Sequence, residues 1–318
     1  MSLSKDLLAL CQQPLHGINL STATTPCEAL PYGITVQSHS IAKLDDRYKI
    51  WSLVDAGERY TSTINLFRQT DKLQLSVDCE GAGIFEFEQN NLTIDWQTGG
   101  TGPAHYLQTL GISLYLELQQ KICLHANTLL KNDQAYLFLA PSRTGKSTLT
   151  SAMATRGYQL ITDDMAAIYP LFEGYGVYPS WPKVRLWPDS AKYLAKQLAA
   201  TQPVKKKVHA RFAKEEIHVA PTDAHIPHPI KGLYLLNRDE EYHGPVKLRR
   251  LPPSHGVIYL LQNSMLGDAY KALGIDKTRM IAIAKLLQTV SFYEVTYGSG
   301  LAHLEDVTQQ LDQLLTTA

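Results

Sequence analysis

One octapeptide constrains this chain more than any other feature: A-P-S-R-T-G-K-S, Ala140 to Ser147. The run before it, Ala135-Tyr-Leu-Phe-Leu, reads as a buried strand, and Thr148 to Thr155 reads as a helix. Strand, Gly-containing loop, Lys-Ser and helix together make a phosphate-binding device. Backbone N–H groups wrap a phosphate there, and the helix N-terminus adds partial positive charge. Lys146 reaches the β/γ oxygens of a nucleotide and Ser147 takes Mg2+. The expected nucleotide-binding set is therefore Ser142, Arg143, Thr144, Gly145, Lys146, Ser147 and Thr148, with ATP and Mg2+ as cofactors. Ala140 departs from the pattern, which begins with Gly. Alanine fits there only at negative φ, and that is the expectation.

With 318 residues, the chain is long enough for one large domain or two ordinary ones. Formal net charge is zero, which argues against nucleic-acid or membrane-surface partners. No apolar run approaches the length of a membrane span. The amphipathic start, Met1 to Cys11, lacks a signal-cleavage pattern and reads as a surface helix. The cysteines, Cys11, Cys27, Cys79 and Cys123, are scattered and form no C-x-x-C pair. A cytoplasmic setting is expected.

Up to about residue 100 the chain carries short β-type runs between turn signals: Ile34–Gln37, Tyr48–Val54, Thr63–Phe67, Leu73–Val77, Ile84–Glu88 and Leu92–Trp96. Their period-two alternation and the Asn90-Asn91 turn predict an antiparallel meander with one buried face. Thr98-Gly-Gly-Thr-Gly-Pro reads as a linker, giving a β-rich unit over 1–103 and a second unit over 104–318. The second unit opens with a helical pattern over 104–121. A strand over 122–130 follows, and then a hairpin through Lys131-Asn-Asp-Gln, so its sheet is not purely parallel. After the loop helix comes a strand, Tyr158 to Thr162. Residues 165–185 suggest further strands, and helices are expected over 189–200, 277–290 and 305–315, with strands over 231–237 and 291–296. The polar, basic stretch 201–229, including Lys205-Lys206-Lys207, reads as a mobile surface segment. Trp181 and Trp187 are expected to pack in the core.

Asp163 and Asp164 end the strand that follows the loop helix, where a nucleotide-binding α/β sheet places its ligand crevice. One carboxylate there can hold Mg2+ and a second can accept the proton of an attacking hydroxyl. If the strand stays regular the two face opposite sides. His125 lies in an apolar strand, where a neutral imidazole packs into the core or serves a phosphoryl-transfer site. Arg185 fits either a surface strand or an anion clamp.

L-H-A at 124–126, the loop A-P-S-R-T-G-K-S-T, and R-G-Y-Q-L-I-T-D-D at 156–164 occur in one order. This block resembles the catalytic domain of HPr kinase/phosphorylases and their relatives. From Ser147 it is 22 residues back to His125 and 17 forward to Asp164, in agreement with the family register. The resemblance implies a mixed-sheet α/β P-loop domain of HPr kinase type. It also implies that Lys146 contacts the γ-phosphate, Ser147 binds Mg2+, Asp164 is the proton acceptor and His125 sits in the active site. Asp163 is then left for the metal or its water shell.

The sequence also departs from that pattern. Ala140 and Arg143 replace glycines of the family loop. Where the family carries E-I-R-G-L-G-I, this chain has Lys183-Val-Arg-Leu-Trp-Pro-Asp, so Arg185 could match the family Arg while Lys183 stands in place of the Glu. This resembles the R-L-W-P variant of HPr-kinase-related kinases and makes HPr itself an unsuited acceptor. The expected activity is ATP-dependent phosphoryl transfer to a hydroxyl of a protein or peptide Ser or Thr. A small-molecule kinase and a nucleotide-binding regulatory module without transfer activity are the alternatives. The acceptor and the oligomeric state are open at this stage.

Overall fold

The structure is a computed structural model. It describes residues 8, 11, 14–22, 30–56, 61–79, 81–97, 102–141, 144–194, 206–209 and 212–317. Most of the N-terminal stretch, the linker residues 98–101 and the loop residues Ser142 and Arg143 lie outside these. Side chains are not described over 206–209 and at residues 212 and 213.

The chain is a mixed α/β protein with several sheets. The first strands are β1 (Ile18–Ser21), β2 (Tyr32–Ser38), β3 (Lys49–Ala56), β4 (Thr61–Gln69), β5 (Lys72–Asp78), β6 (Ala82–Glu88) and β7 (Asn91–Trp96). They form a sheet of order β1-β2-β7-β6-β5-β4-β3. From β3 to β7 it is the antiparallel meander that alternation predicts. The β6–β7 turn is Gln89-Asn90, one residue earlier than expected, with Gln89 at a φ of 53°. The expectation of a wholly antiparallel unit is corrected by β1 and β2. These two are parallel to each other, and β2 is parallel to β7. Alternation reports which face a side chain takes and is silent on strand direction.

This sheet shares no strand with the next, but its core does not close on itself. Phe85, Leu92 and Ile94 pack with Leu107, Leu114 and Leu116 of the following helical stretch, and with Met165, Tyr169, Trp181 and Tyr270 further along. Trp181 is buried as expected. Trp187 is exposed, a correction that follows from its place between a strand end and a helix start.

Twelve further strands follow among the described residues: β8 (Ile122–Leu124), β9 (Ala126–Lys131), β10 (Gln134–Leu139), β11 (Gln159–Thr162), β12 (Ala166–Pro170), β13 (Tyr175–Val177), β14 (Lys183–Leu186), β15 (Lys206–His209), β16 (Phe212–His218), β17 (His228–Asp239), β18 (Lys247–Arg250) and β19 (Phe292–Gly298). Nine of them make one sheet along the path β11-β9-β10-β17-β13-β12-β8, with β19 also on β17 and β18 on β19. β10, β17 and β19 run parallel, while the β9–β10 hairpin is antiparallel, as its short connection requires. The hairpin turn, Asn132-Asp133, takes φ of 50° and 58°, the left-handed pair that a two-residue hairpin favours.

β10 is buried on both faces, which is why it reads as an unbroken apolar run. Tyr136 and Phe138 face a core with Leu149 of the loop helix and Leu311 of the last helix, Leu304–Thr317. Leu137 and Leu139 face the opposite core, built on the helices Pro253–Gln262 and Asp276–Thr289. The sheet is thus the middle layer of three, and β10 delivers its C-terminal end to the loop.

The stretch 201–229 contains strands, contrary to the expectation of a surface segment. β16 pairs with both β14 and β15, and Ile217 is buried against Val184 and Leu186. The run Lys214-Glu-Glu hides the alternation that would have revealed it. Lys205 lies outside the described residues.

Candidate active site

Ala140 follows β10, is fully buried and has a negative φ, so its Cβ is accommodated. Gly145 has φ 90° and ψ 13°, and an added Cβ would lie 3.2 Å from Arg238 Nη1. Position 145 thus needs glycine for its conformation. The helix Lys146–Ala152 starts immediately after it. Lys146 and Ser147 therefore occupy its first turn, and Thr148 turns its hydroxyl to Ser190 Oγ, 2.8 Å away.

Lys146 is buried, and its Nζ donates to the His125 carbonyl at 3.1 Å. Burial pulls the ammonium down to about 8, against the opposing pull of Asp164 and Asp163. Ser147 Oγ donates to Asp163 Oδ1 at 3.3 Å. The other Asp163 oxygen accepts the backbone N–H of Arg185 at 2.8 Å. Burial and the charge of Asp164 push the Asp163 carboxyl up to about 6.

Asp164 does not continue the strand. β11 ends at Thr162, and Asp164 takes a φ of 64°. Asp is one of the few side chains that tolerate this conformation. The opposite-face expectation presupposes a regular strand through both residues, and that condition is not met. Asp163 faces Ser147, and Asp164 Oδ1 lies 3.8 Å from His125 Nε2. Burial alone would raise the Asp164 carboxyl. The nearby His125, Lys214, Arg185 and Lys146 outweigh it and hold Asp164 well below the usual carboxylate range.

His125 also breaks its strand. The expected strand over 122–130 is split into β8 and β9 at this residue, whose N–H donates to the Asn263 carbonyl at 2.7 Å. The break frees the imidazole from the sheet's apolar faces and leaves it half-buried beside Asp164. Arg185 donates from Nη2 to Gln108 Oε1 at 2.7 Å and lies 3.5 Å from Asp164 Oδ2 through Nη1. Lys183, at the position where the resembling family has Glu, is paired with Glu216 at 2.9 Å.

Sequence reasoning missed the residue that joins these parts. Asn127 is fully buried on β9. Its Nδ2 donates to Thr150 Oγ1 at 3.0 Å and approaches Ser147 Oγ at 3.4 Å, while its Oδ1 accepts the Asp164 N–H at 3.1 Å. A buried amide in a continuous apolar strand is the one signal that could have pointed to it. Lys214 and Gln108 were also missed, since each comes from a segment remote in sequence.

Among the described residues no group of three or more His, Cys, Asp or Glu is arranged to hold a metal. The Ser147 hydroxyl and the Asp163 carboxylate form a pair of hard oxygen donors instead. That donor set fits Mg2+ arriving with a nucleotide, since Mg2+ is commonly held by one or two carboxylates plus phosphate oxygens. No helix among the described residues is long and apolar enough to cross a membrane.

The sequence matches no protein-family model, and no curated protein is significantly similar to it. In structure the chain is similar to the HPr(Ser) kinase/phosphatase from Coxiella burnetii, at 13% identity and a TM-score of 0.32. The match covers 61% of this chain and 88% of that one. A likeness at this level carries no functional argument, and the function is argued from the site itself.

Proposed function

We propose that this chain is an ATP- and Mg2+-dependent kinase related to the HPr kinases. It would transfer the γ-phosphoryl group to a hydroxyl, that of Ser or Thr in a protein or peptide other than HPr. The observation that carries this reading is the contact of Ser147 with Asp163 at the start of the loop helix, with Lys146 and Asp164 beside it. Thr144 to Thr148 would line the phosphate end of the nucleotide, and the sequence motif adds Ser142 and Arg143, which lie outside the described residues. Ser147 and Asp163 are the residues that would hold Mg2+, which supplies charge neutralisation on the β- and γ-oxygens.

Lys146 is the cation that would meet the same oxygens. Asp164 is the proton acceptor, because Arg185, Lys146 and Lys214 keep it ionised while Asp163 is committed to Ser147 and the Arg185 N–H. His125 orients the Asp164 carboxylate from 3.8 Å. Arg185 lies 3.5 Å from Asp164 and would be the residue to meet an anionic group of the acceptor. The same reading keeps two units, 1–103 and 104–318, and a cytoplasmic setting.

ATP turnover by Asp164→Asn tests the assignment. The variant is nearly isosteric and should bind MgATP as the wild type does, while ADP release falls by about 10²–10⁴-fold, the usual contribution of a general base. Unchanged turnover in Asp164→Asn, with loss in Asp163→Asn, would transfer the base role to Asp163.

A further inference from the structure

A second feature lies on the flank of the loop away from Asp163 and Asp164. An open crevice of about 220 Å³ runs from Gly145 and Thr148 to the turn Gly298-Ser299-Gly300, between β19 and the last helix. The floor is largely apolar, supplied by Leu149 and by Leu304 and Val307 of the last helix. Leu301, on the rim, is 37% exposed.

Three observations mark this crevice as a built feature. The turn has a fixed shape: a Cβ at Gly298 would come within 2.4 Å of the Tyr242 carbonyl oxygen, and Gly300 has a φ of 121°. Tyr297, only 4% exposed, carries a buried hydroxyl with no hydrogen-bond partner among the described residues. Arg238, on the exposed end of β17, lies over Gly145, at the junction between the loop and the crevice.

We infer that this crevice takes the base and ribose of a nucleoside triphosphate whose phosphates lie in the loop. This rests on the nucleotide reading proposed above. A nucleoside is a flat, partly apolar group with polar edges, tethered to a charged chain. The apolar floor suits the ring face, and Tyr297, whose buried hydroxyl is unpaired, belongs to the same wall. Arg238 offers a cation where the phosphate chain would leave the loop. The crevice and the loop share Gly145 and Thr148, so one ligand can span both without moving either wall.

The test compares Mg-ATP with Mg-tripolyphosphate by titration calorimetry, because the second ligand lacks the nucleoside. Wild type should bind Mg-ATP at least about 10-fold more tightly than Mg-tripolyphosphate. Ser299→Trp fills the crevice, and Leu301→Gln makes its rim polar without adding charge. Each should weaken Mg-ATP toward the tripolyphosphate value and leave tripolyphosphate binding unchanged. Leu301→Gln serves alone if the bulkier variant does not fold. Equal wild-type affinity for the two ligands, or variants that weaken neither or both alike, would overturn the inference. Wild type that binds neither ligand would show instead that the nucleotide reading itself has failed, and the crevice assignment with it.

Discussion

The Asp164 backbone N–H donates to Asn127 Oδ1 at 3.1 Å, which ties the carboxylate turn to the strand behind the loop helix. The same amide reaches Thr150 and Ser147 on that helix. One buried side chain thus links the loop helix to the Asp164 turn. Asn127→Leu is close in volume and removes all three contacts. It should cost about 1–3 kcal/mol, because a buried N–H and a hydroxyl lose their partner. Urea unfolding measures that cost. ATP turnover should drop further than the stability loss explains, since the left-handed turn at Asp164 loses its anchor. A variant that is destabilised but turns over ATP normally would reduce Asn127 to a packing residue.

Nucleotide affinity should be greatest between about pH 6 and pH 8. Asp163 is raised to about 6 by burial and by Asp164, and it must be ionised to hold Mg2+. Affinity for Mg-ATP therefore falls as pH drops through that value. Burial lowers Lys146 to about 8, and it must be charged to meet the phosphates. Affinity therefore falls again as pH rises through 8. The stability of the free protein carries the opposite sign for Lys146. Above pH 8 the folded chain has released a proton that the unfolded chain keeps until near 10.5, so this group's contribution to stability rises with pH across that window. Thermal melts from about pH 7.5 to 10 on wild type and Lys146→Met check this, since the variant should lack the rise.

A buried ion pair ties the helix Ile112–Leu118 to the helix Asp276–Thr289. Arg279 Nε lies 3.0 Å from both carboxylate oxygens of Glu117, and Tyr270 and the Cys123 N–H also donate to that carboxylate. Both side chains of the pair are almost wholly buried. Arg279→Met leaves Glu117 charged and uncompensated, and should cost about 3–5 kcal/mol. Adding Glu117→Leu should recover most of that loss, because the pair's own net contribution is small. A double variant no more stable than Arg279→Met would contradict this.

The parts of the fold that sequence made legible are those with strong local periodicity. The β3–β7 meander, the β9–β10 hairpin and the β10–loop–helix unit each carry their own turn and alternation signals. Strand direction at β1 and β2 was not legible, because pairing partners far apart in sequence decide it. β16 was hidden by its charged run, and the helix Pro253–Gln262 by the Pro-Pro at its start. At the site, loop and register pointed to Lys146, Ser147, Asp163 and Asp164. Residues that support them from elsewhere, Asn127, Gln108, Lys214 and Arg238, carry no local signature. The opposite-face expectation for the two aspartates presupposed a regular strand through both, whereas β11 ends at Thr162 and Asp164 is left-handed, with its N–H on Asn127, 37 residues away in sequence.

Nucleotide binding through Lys146 and its loop underlies every role proposed for the site. Calorimetric titration of Mg-ATP into wild type and Lys146→Ala addresses this directly. Wild type should bind with saturable heat that requires Mg2+. The variant should bind about 10–100-fold more weakly, the loss expected for one charge-assisted contact to phosphate. Equal affinity in the two proteins, or no binding by wild type, would contradict it.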